Sequence, residues 1–394
     1  MRYLILTIAL SFGIAAHAFE LKIRLFSTLN LTQATVLPDS GDYFLIALDH
    51  DLRPIDTVIG LYEPAGNKVI HFLKNSSSLK TTHGDFALGQ YHAMLIKSKD
   101  HHREFRIQAG GKERVYRGDL RLRIHNNYLQ VVNLVDIEHY VAGVVESEGG
   151  HLNNPEYFKA QAVLARTFAL KNLDKHRKEG YNLKDDVTSQ VYFSRPRYKY
   201  AKEILAAVEA TEDTIVVTSE CEPILGVFHA NSGGVCTNSE DVWLQPVEYL
   251  RSRVDSFSIG VGSYTWEREI EAREFYGYLA RKMGVRDDPF FRKAVLNMEH
   301  APRKAYFEYQ GKKLKLTRVR HQFKLRSTFF EVQEKPDSQI VLRGRGYGHG
   351  VGLSQDGAME MARRGYSYRQ IIDFYYEGVE LESIDRINAY LSGK

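Results

Sequence analysis

Near Asn133 the apolar residues change their period, and no other feature of the sequence limits the fold so strongly. Before it, from Phe19 to about Tyr128, short β-branched and aromatic runs such as Tyr43-Phe44-Leu45-Ile46-Ala47 and Val115-Tyr116 are broken by turn residues and predict strands. After it, to about Tyr200, apolar residues recur at helical spacing. Asn153-Asn154-Pro155 offers a cap and a first-turn proline, and the helix it opens is expected to run to Gly180. A second helix is expected from about Lys199 to Ala210, followed by a hairpin-like pair over Thr214–Thr218 and Ile224–His229. Strands first and helices afterwards make the expected fold class α+β. The expected divisions are a leader over 1–18, a β-rich domain over 19–130, a mixed catalytic region over 131–256, an insertion or subdomain over 257–340, and a closing part over 341–394. The insertion mixes a helix near Glu271 to Met283 with strands joined at Gln310-Gly311. The closing part holds a glycine-rich loop, two short helices and a final apolar strand.

The leader has Arg2 before an apolar run from Leu4 to Ala16 and ends on the small-x-small pattern Ala16-His17-Ala18. That run is shorter than the ~20 residues of a spanning helix, so the expectation is an exported chain beginning at Phe19, periplasmic or wall-associated, with no membrane span after cleavage. The net charge is +4, carried on interspersed residues, and without Arg2 the balance stays mildly basic. No Lys/Arg block marks a nucleic-acid arm. Two cysteines, Cys221 and Cys236, exclude a disulfide scaffold and a four-thiolate metal site, and their spacing leaves pairing open.

Four clusters could carry chemistry. If Asp136 to Gly150 is helical, Ile137, Tyr140, Val141, Val144 and Val145 form one stripe, with Glu148 about 20° from Ile137 and Glu146 on the opposite, solvated face. A carboxyl on the apolar face of a helix C-terminus is disfavoured as an anion, which suits a general acid; fraying at Gly149-Gly150 is the competing reading. In the next helix Lys159 and Arg166 fall inside the apolar arc, where cations are rare unless paired or facing a ligand. The third cluster has five glycines between Gly344 and Gly352, then a helix capped near Ser354, with His349 and Gln355 as hydrogen-bonding groups. It lacks the Lys-Ser/Thr of a phosphate loop, and close backbone approach to a flat, hydroxyl-rich sugar chain reads the glycines better. The fourth runs from His229 through Ser232-Gly233-Gly234 to Asp241-Val242-Trp243. A Ser232, His229 and Asp241 hydrolase competes there with a turn that shapes a groove, and Trp243 offers a sugar-stacking face or a core side chain.

These clusters, in this order, resemble the SpoIID/LytB family of cell-wall proteins. The likeness rests on Tyr140 to Glu148 (YVAGVVESE), Lys159 to Leu170 (KAQAVLARTFAL), Gln190-Val191-Tyr192, His229 to Gly234 with Asp241-Val242-Trp243, and Gly344 to Gly378. It implies an enzyme that cleaves the MurNAc–GlcNAc backbone without water, leaving a 1,6-anhydro sugar, or a relative that stimulates amidases. Glu148 matches the family's acid/base, and Lys159 and Arg166 match its helix cations, Arg166 being expected to orient Glu148 or the lactyl acid of a muramic sugar. Gln190, Tyr192, His229, Ser232, Asp241, Trp243, His349 and Gln355 become substrate-binding candidates. The implied partners are peptidoglycan glycan strands and an amidase or other wall hydrolase, with no nucleic acid. Two departures stand out. Gly149-Gly150 replaces the family's usual Met-Pro and is expected to loosen the loop that positions the acid. Lys184 and Ser189 stand near where some relatives carry a zinc-holding cysteine pair, so neither zinc nor another cofactor is expected.

Overall fold

The computed structural model describes residues 19–38, 43–61, 69–98, 104–149, 153–243, 245–298, 303–387 and 390–391. The expected leader lies outside the described residues. The fold is α+β, and the chain divides into two compact units whose boundary falls after Tyr140.

The first unit is built from twelve strands: β1 (Glu20–Leu25), β2 (Gln33–Pro38), β3 (Tyr43–Leu48), β4 (Pro54–Leu61), β5 (Ile70–Asn75), β6 (Ser78–His83), β7 (Phe86–Tyr91), β8 (Ala93–Ser98), β9 (Glu104–Ala109), β10 (Lys112–Arg117), β11 (Asp119–His125) and β12 (Tyr128–Asp136). One sheet runs β1-β12-β11-β8-β3-β4 and the other β10-β9-β2-β5-β6-β7, with antiparallel pairing throughout. Alternate residues are buried, as Leu21, Ile23 and Leu25 in β1 and Ala34 and Val36 in β2, because successive side chains point to opposite faces. Those apolar faces meet across the space between the sheets, where β11 and β8 touch β6 and β12 touches β5.

Helix α1 (Ile137–Gly149) leads into the second unit and is followed by α2 (Pro155–Lys171), the short strand β13 (Leu183–Lys184) and α3 (Ala201–Glu209). Asn154 caps α2 by accepting from the Glu156 amide. The helix ends well before Gly180. At Asn172 the side-chain amide takes the Phe168 carbonyl, the chain turns, and Gly180 closes a separate 3-10 turn with φ 84°. The expected hairpin is cut short to its turn, where Val217 bridges Pro223 antiparallel and the Ile224 amide donates to the Val216 carbonyl at 3.1 Å. β14 (Thr214–Val217) pairs with the terminal strand β22 (Glu380–Ser383), whereas β15 (Phe228–His229) runs parallel to β21 (Leu353–Ser354). Strand β22 reads Glu-Leu-Glu-Ser and is half-exposed rather than apolar.

Between these come α4 (Ser239–Val242), β16 (Thr265–Glu271), α5 (Ala272–Met283), α6 (Pro289–Leu296), β17 (Tyr306–Tyr309), β18 (Lys312–Lys315), α7 (Leu316–Phe323), β19 (Phe330–Glu334) and β20 (Gln339–Arg345). From β16 to β20 these elements share a core that includes Trp266, Phe275, Phe291, Val319 and Leu342. Helices α8 (Gln355–Arg363) and α9 (Tyr368–Tyr375) close the unit. Ser354 caps α8, and a Ser367/Gln370 capping box opens α9.

Candidate functional site

The C-terminal turn of α1 is bonded to an irregular segment, Val191 to Tyr198, through that segment's backbone amides. Glu148 Oε1 accepts from the Val191 amide at 2.9 Å, and Ser147 Oγ accepts from Phe193 at 3.2 Å while donating to the Gly143 carbonyl at 2.7 Å. Glu146 Oε1 accepts from the Arg197 and Tyr198 amides, each at 2.8 Å. Glu146 is therefore buried, not on a solvated face: helical periodicity marked its side as polar, and the segment covers that side. Gly143 permits the approach, since a Cβ there would lie 2.5 Å from both the Ser194 carbonyl oxygen and the Tyr192 ring.

Glu148 is half-buried. Burial pushes its carboxyl up from the ordinary range, and the Val191 hydrogen bond opposes that shift in part. Among the described residues none bonds Oε2. Behind the acid, Gln355 Nε2 donates to the Glu148 carbonyl oxygen at 3.4 Å. The fully buried Tyr157 ring lies under Gly149, where a Cβ would come within 2.2 Å of its hydroxyl oxygen. Burial raises the Tyr157 phenol, and the charges of Glu148 and Asp356 add to the effect.

Gln190 and Tyr192 flank the Val191 amide that holds Glu148, Gln355 bonds its carbonyl, and all three side chains are buried. Lys159 is not part of that group. Its ammonium pairs with Glu156 at 2.7 Å on the rim of α2, and Glu156 also accepts from the Tyr368 amide that begins α9. Arg166 is 0% exposed and donates to the Thr214 carbonyl at 2.8 Å, tying α2 to β14. The expected contact with a substrate acid is not available to a side chain so placed.

His229, His349 and Trp243 form a second group. The two imidazole centroids are 5.4 Å apart, and His349 lies 5.5 Å from the Trp243 ring. Burial, then Arg320, lowers His349 to about 4; a bond to the Phe228 backbone opposes the shift and Arg303 adds to it. Burial, His349 and Arg303 hold His229 well below its usual range. Both rings are neutral at pH 7.

The Ser232, His229 and Asp241 hydrolase is absent. Ser232 Oγ donates to the buried carboxylate of Asp255 at 2.8 Å, His229 Nδ1 lies 3.1 Å from the Val351 carbonyl oxygen, and Asp241 accepts from Thr237 and Asn238. Cys221 and Cys236 are both free thiols.

The glycine-rich loop makes its close approach to the protein's own chain. Gly350 and Gly352 have φ 84° and 69°, and a Cβ would fall 2.1 Å from Arg303 Nη1 at the first and 2.2 Å from the Val227 carbonyl oxygen at the second. Arg303 holds this loop: Nη1 donates to the Ser232 and Val235 carbonyls, and Nη2 donates to Thr328 Oγ1 and the His349 carbonyl, at 3.2 to 3.4 Å. Burial lowers the Arg303 guanidinium to about 10. Arg303 and Tyr157 were missed by sequence reasoning. Arg303 sits within the insertion without a motif, whereas Tyr157 stood three positions beyond a legible helix start.

The family model for Stage II sporulation protein, SpoIID, matches residues 125–217. The chain is 30% identical over 299 residues to stage II sporulation protein D of Bacillus subtilis (strain 168), covering 72% of this chain and 85% of that protein. To the stage II sporulation protein D of Bacillus amyloliquefaciens it is 33% identical over 280 residues, 67% and 79% of the two chains. The amidase enhancer of Bacillus subtilis (strain 168) matches at 25% identity over 297 residues, 61% of this chain and 40% of that protein.

Proposed function

This chain belongs to the SpoIID family of stage II sporulation proteins, and on that premise we propose that it is an exported peptidoglycan lytic transglycosylase with Glu148 as its acid and base. The observation that carries the reading is Glu148 itself: a carboxyl raised by burial, anchored through one oxygen and unbonded by described residues at the other. Such a group is protonated above the usual carboxylate range and can deliver its proton to a glycosidic oxygen.

In the proposed cycle Glu148 protonates the oxygen linking MurNAc C1 to GlcNAc, and the C1–O bond breaks. The resulting carboxylate removes the proton of the MurNAc C6 hydroxyl, whose oxygen bonds to C1. The product carries a 1,6-anhydro end, Glu148 regains its proton, and no water or second carboxylate takes part. The Val191 amide and Gln355 hold the acid in place, with Gln190 and Tyr192 on either side of that amide. Trp243 and His349 supply a neutral aromatic face of the kind sugar rings pack on. The leader expected over residues 1–18 fits a substrate outside the cytoplasm.

The test is mass spectrometry of peptidoglycan, intact and amidase-stripped, after incubation with the protein and with Glu148→Gln. Anhydro-muramic ends made only by the wild type are expected; reducing ends mean hydrolysis instead. The relative named amidase enhancer favours a second reading, a non-catalytic regulator that docks on an amidase or another wall hydrolase. That reading takes over if neither product forms and Glu148→Gln stimulates an added amidase as well as the wild type does.

A further inference from the structure

None of the residues named in that chemistry belongs to the first unit, yet one of its faces has the makings of a binding site. In the sheet β10-β9-β2-β5-β6-β7, Ala34, Val36, Ile70, Phe72 and Ile107 turn inward and are buried. The residues between them face outward. Cross-strand register sets Thr82 opposite His71, His71 opposite Thr35, Thr35 opposite Gln108, and Gln108 opposite Glu113. Paired residues project to the same side of a sheet, so five polar side chains form one row across five adjacent strands. Four strand spacings make that row ~19 Å long.

The row is bonded within itself. Thr35 Oγ1 lies 3.1 Å from His71 Nδ1, and Gln108 Nε2 donates to Glu113 Oε2 at 2.7 Å. Beside it the register places Lys80 opposite Leu73 and Leu73 opposite Gln33, and the Gly110-Gly111 turn leaves that end without side chains. The face is therefore concave, a groove of about 720 Å³ lined by these residues together with Lys112. That volume lies within the ~300–1,000 Å³ of ligand-binding clefts.

The chemistry of the row selects its ligand. Four of the five strands are inner and spend their backbone groups on each other, so across the face of the sheet a peptide strand finds no ladder, and recognition there must pass through side chains. Thr35, Thr82 and Gln108 both donate and accept, and the His71 ring adds two nitrogens that can bond, the pairing that hydroxyl and acetamido groups require. Lys80 and Lys112 lie at the margins while Glu113 pairs with Arg106 at 3.7 Å, a mixture too weakly cationic for a nucleic-acid backbone and suited to a glycan carrying occasional carboxylates. Leu73 is the one large apolar side chain of the two rows, too little for insertion into a lipid surface.

We propose that this face is a second, non-catalytic glycan site, on which a strand of several amino-sugar rings lies across β6, β5, β2, β9 and β10. The identification of that strand as wall glycan rests on the function proposed above; the binding face does not. The site would keep the enzyme on its polymer between cleavage events.

The experiment uses the full chain carrying Glu148→Gln, so that the polymer is not cut, and sediments it with amidase-stripped glycan sacculi. Adding His71→Ala and Gln108→Ala together is expected to weaken binding at least tenfold at an unchanged thermal midpoint. Thr82→Ala, on a different strand, is expected to weaken it measurably by itself and guards against a folding defect in the double variant. With Glu148 restored, the row variants should cleave short soluble glycan at the wild-type rate and sacculi more slowly. Binding within twofold of the parent, or parent binding only to peptide-bearing wall, overturns the proposal. Binding that depends on the row while no variant cleaves glycan overturns the proposed function and leaves the glycan face standing.

Discussion

Gly149→Ala should impair catalysis far more than folding. Gly149 ends α1 without a left-handed φ, so alanine is allowed by the backbone and gains about 1 kcal/mol of helix propensity. Against that, the new Cβ would meet the Tyr157 hydroxyl oxygen at 2.2 Å and two ring carbons at 3.0 Å. Tyr157 is fully buried and its ring packs 5.9 Å from that of Phe158, leaving it little room to swing. Overpacking of this kind costs ~1–3 kcal/mol, so the net loss is about 1 kcal/mol, or a fall of ~2–4 °C in Tm. The strain is relieved by moving the α1 terminus, which carries Glu148. A displacement near 1 Å at a reacting group costs ~100-fold in turnover. Rates of anhydro-end formation and calorimetric melting measure the two effects separately. Tyr157→Phe removes the atom at 2.2 Å, so Gly149→Ala should cost at least tenfold less in a Tyr157→Phe background. Full turnover by Gly149→Ala, or an equal penalty in both backgrounds, refutes the idea that Tyr157 braces the acid.

Two more outcomes follow from the site. Because the acid must be protonated, kcat/KM should fall as pH rises through the raised Glu148 pKa. The same raised pKa means that the stability contributed by protonated Glu148 is fully present below the ordinary value of 4.5 and is lost as pH rises through the folded value, so Glu148→Gln should gain in relative stability across that window. Unfolding curves at stepped pH check the sign, and an advantage that shrinks with rising pH contradicts it. Arg303→Met deprives four acceptors of their donor and should cost ~2–4 kcal/mol. Hydrogen exchange should accelerate in residues 346–352, and unchanged exchange there removes Arg303 as the loop's anchor.

The burial of Glu148 was legible because helical periodicity is local: the same stripe that buries Val141, Val144 and Val145 carries its carboxyl toward the interior. Glu146 was not, since what covers it is a segment some fifty residues away that offers only backbone amides, and amides leave no trace in a sequence. Arg166 shows a different limit. Its place in an apolar arc correctly implied a buried cation needing a partner, yet periodicity could not tell a protein carbonyl from a ligand. The glycine block likewise announced a close approach without naming what approaches. Its neighbours turned out to be Val227, the residue that precedes β15, and Arg303, from the insertion. In each case the local signal stated a requirement, and a non-local element met it.

That distinction changes the meaning of Gly149. Judged as sequence, a glycine where relatives have methionine suggested a looser support for the acid. In the folded chain the missing Cβ is what admits Tyr157, so the substitution brings an aromatic ring against the helix end instead of freeing it. Glu148 is then restrained from three directions: by the Val191 amide on its carboxylate, by Gln355 on its carbonyl, and by Tyr157 beneath the next residue. These supports come from widely separated parts of the chain, and each is buried or is itself backbone. A general acid gains from this arrangement, because a side chain held near its working geometry spends no free energy on ordering when the glycosidic bond begins to break.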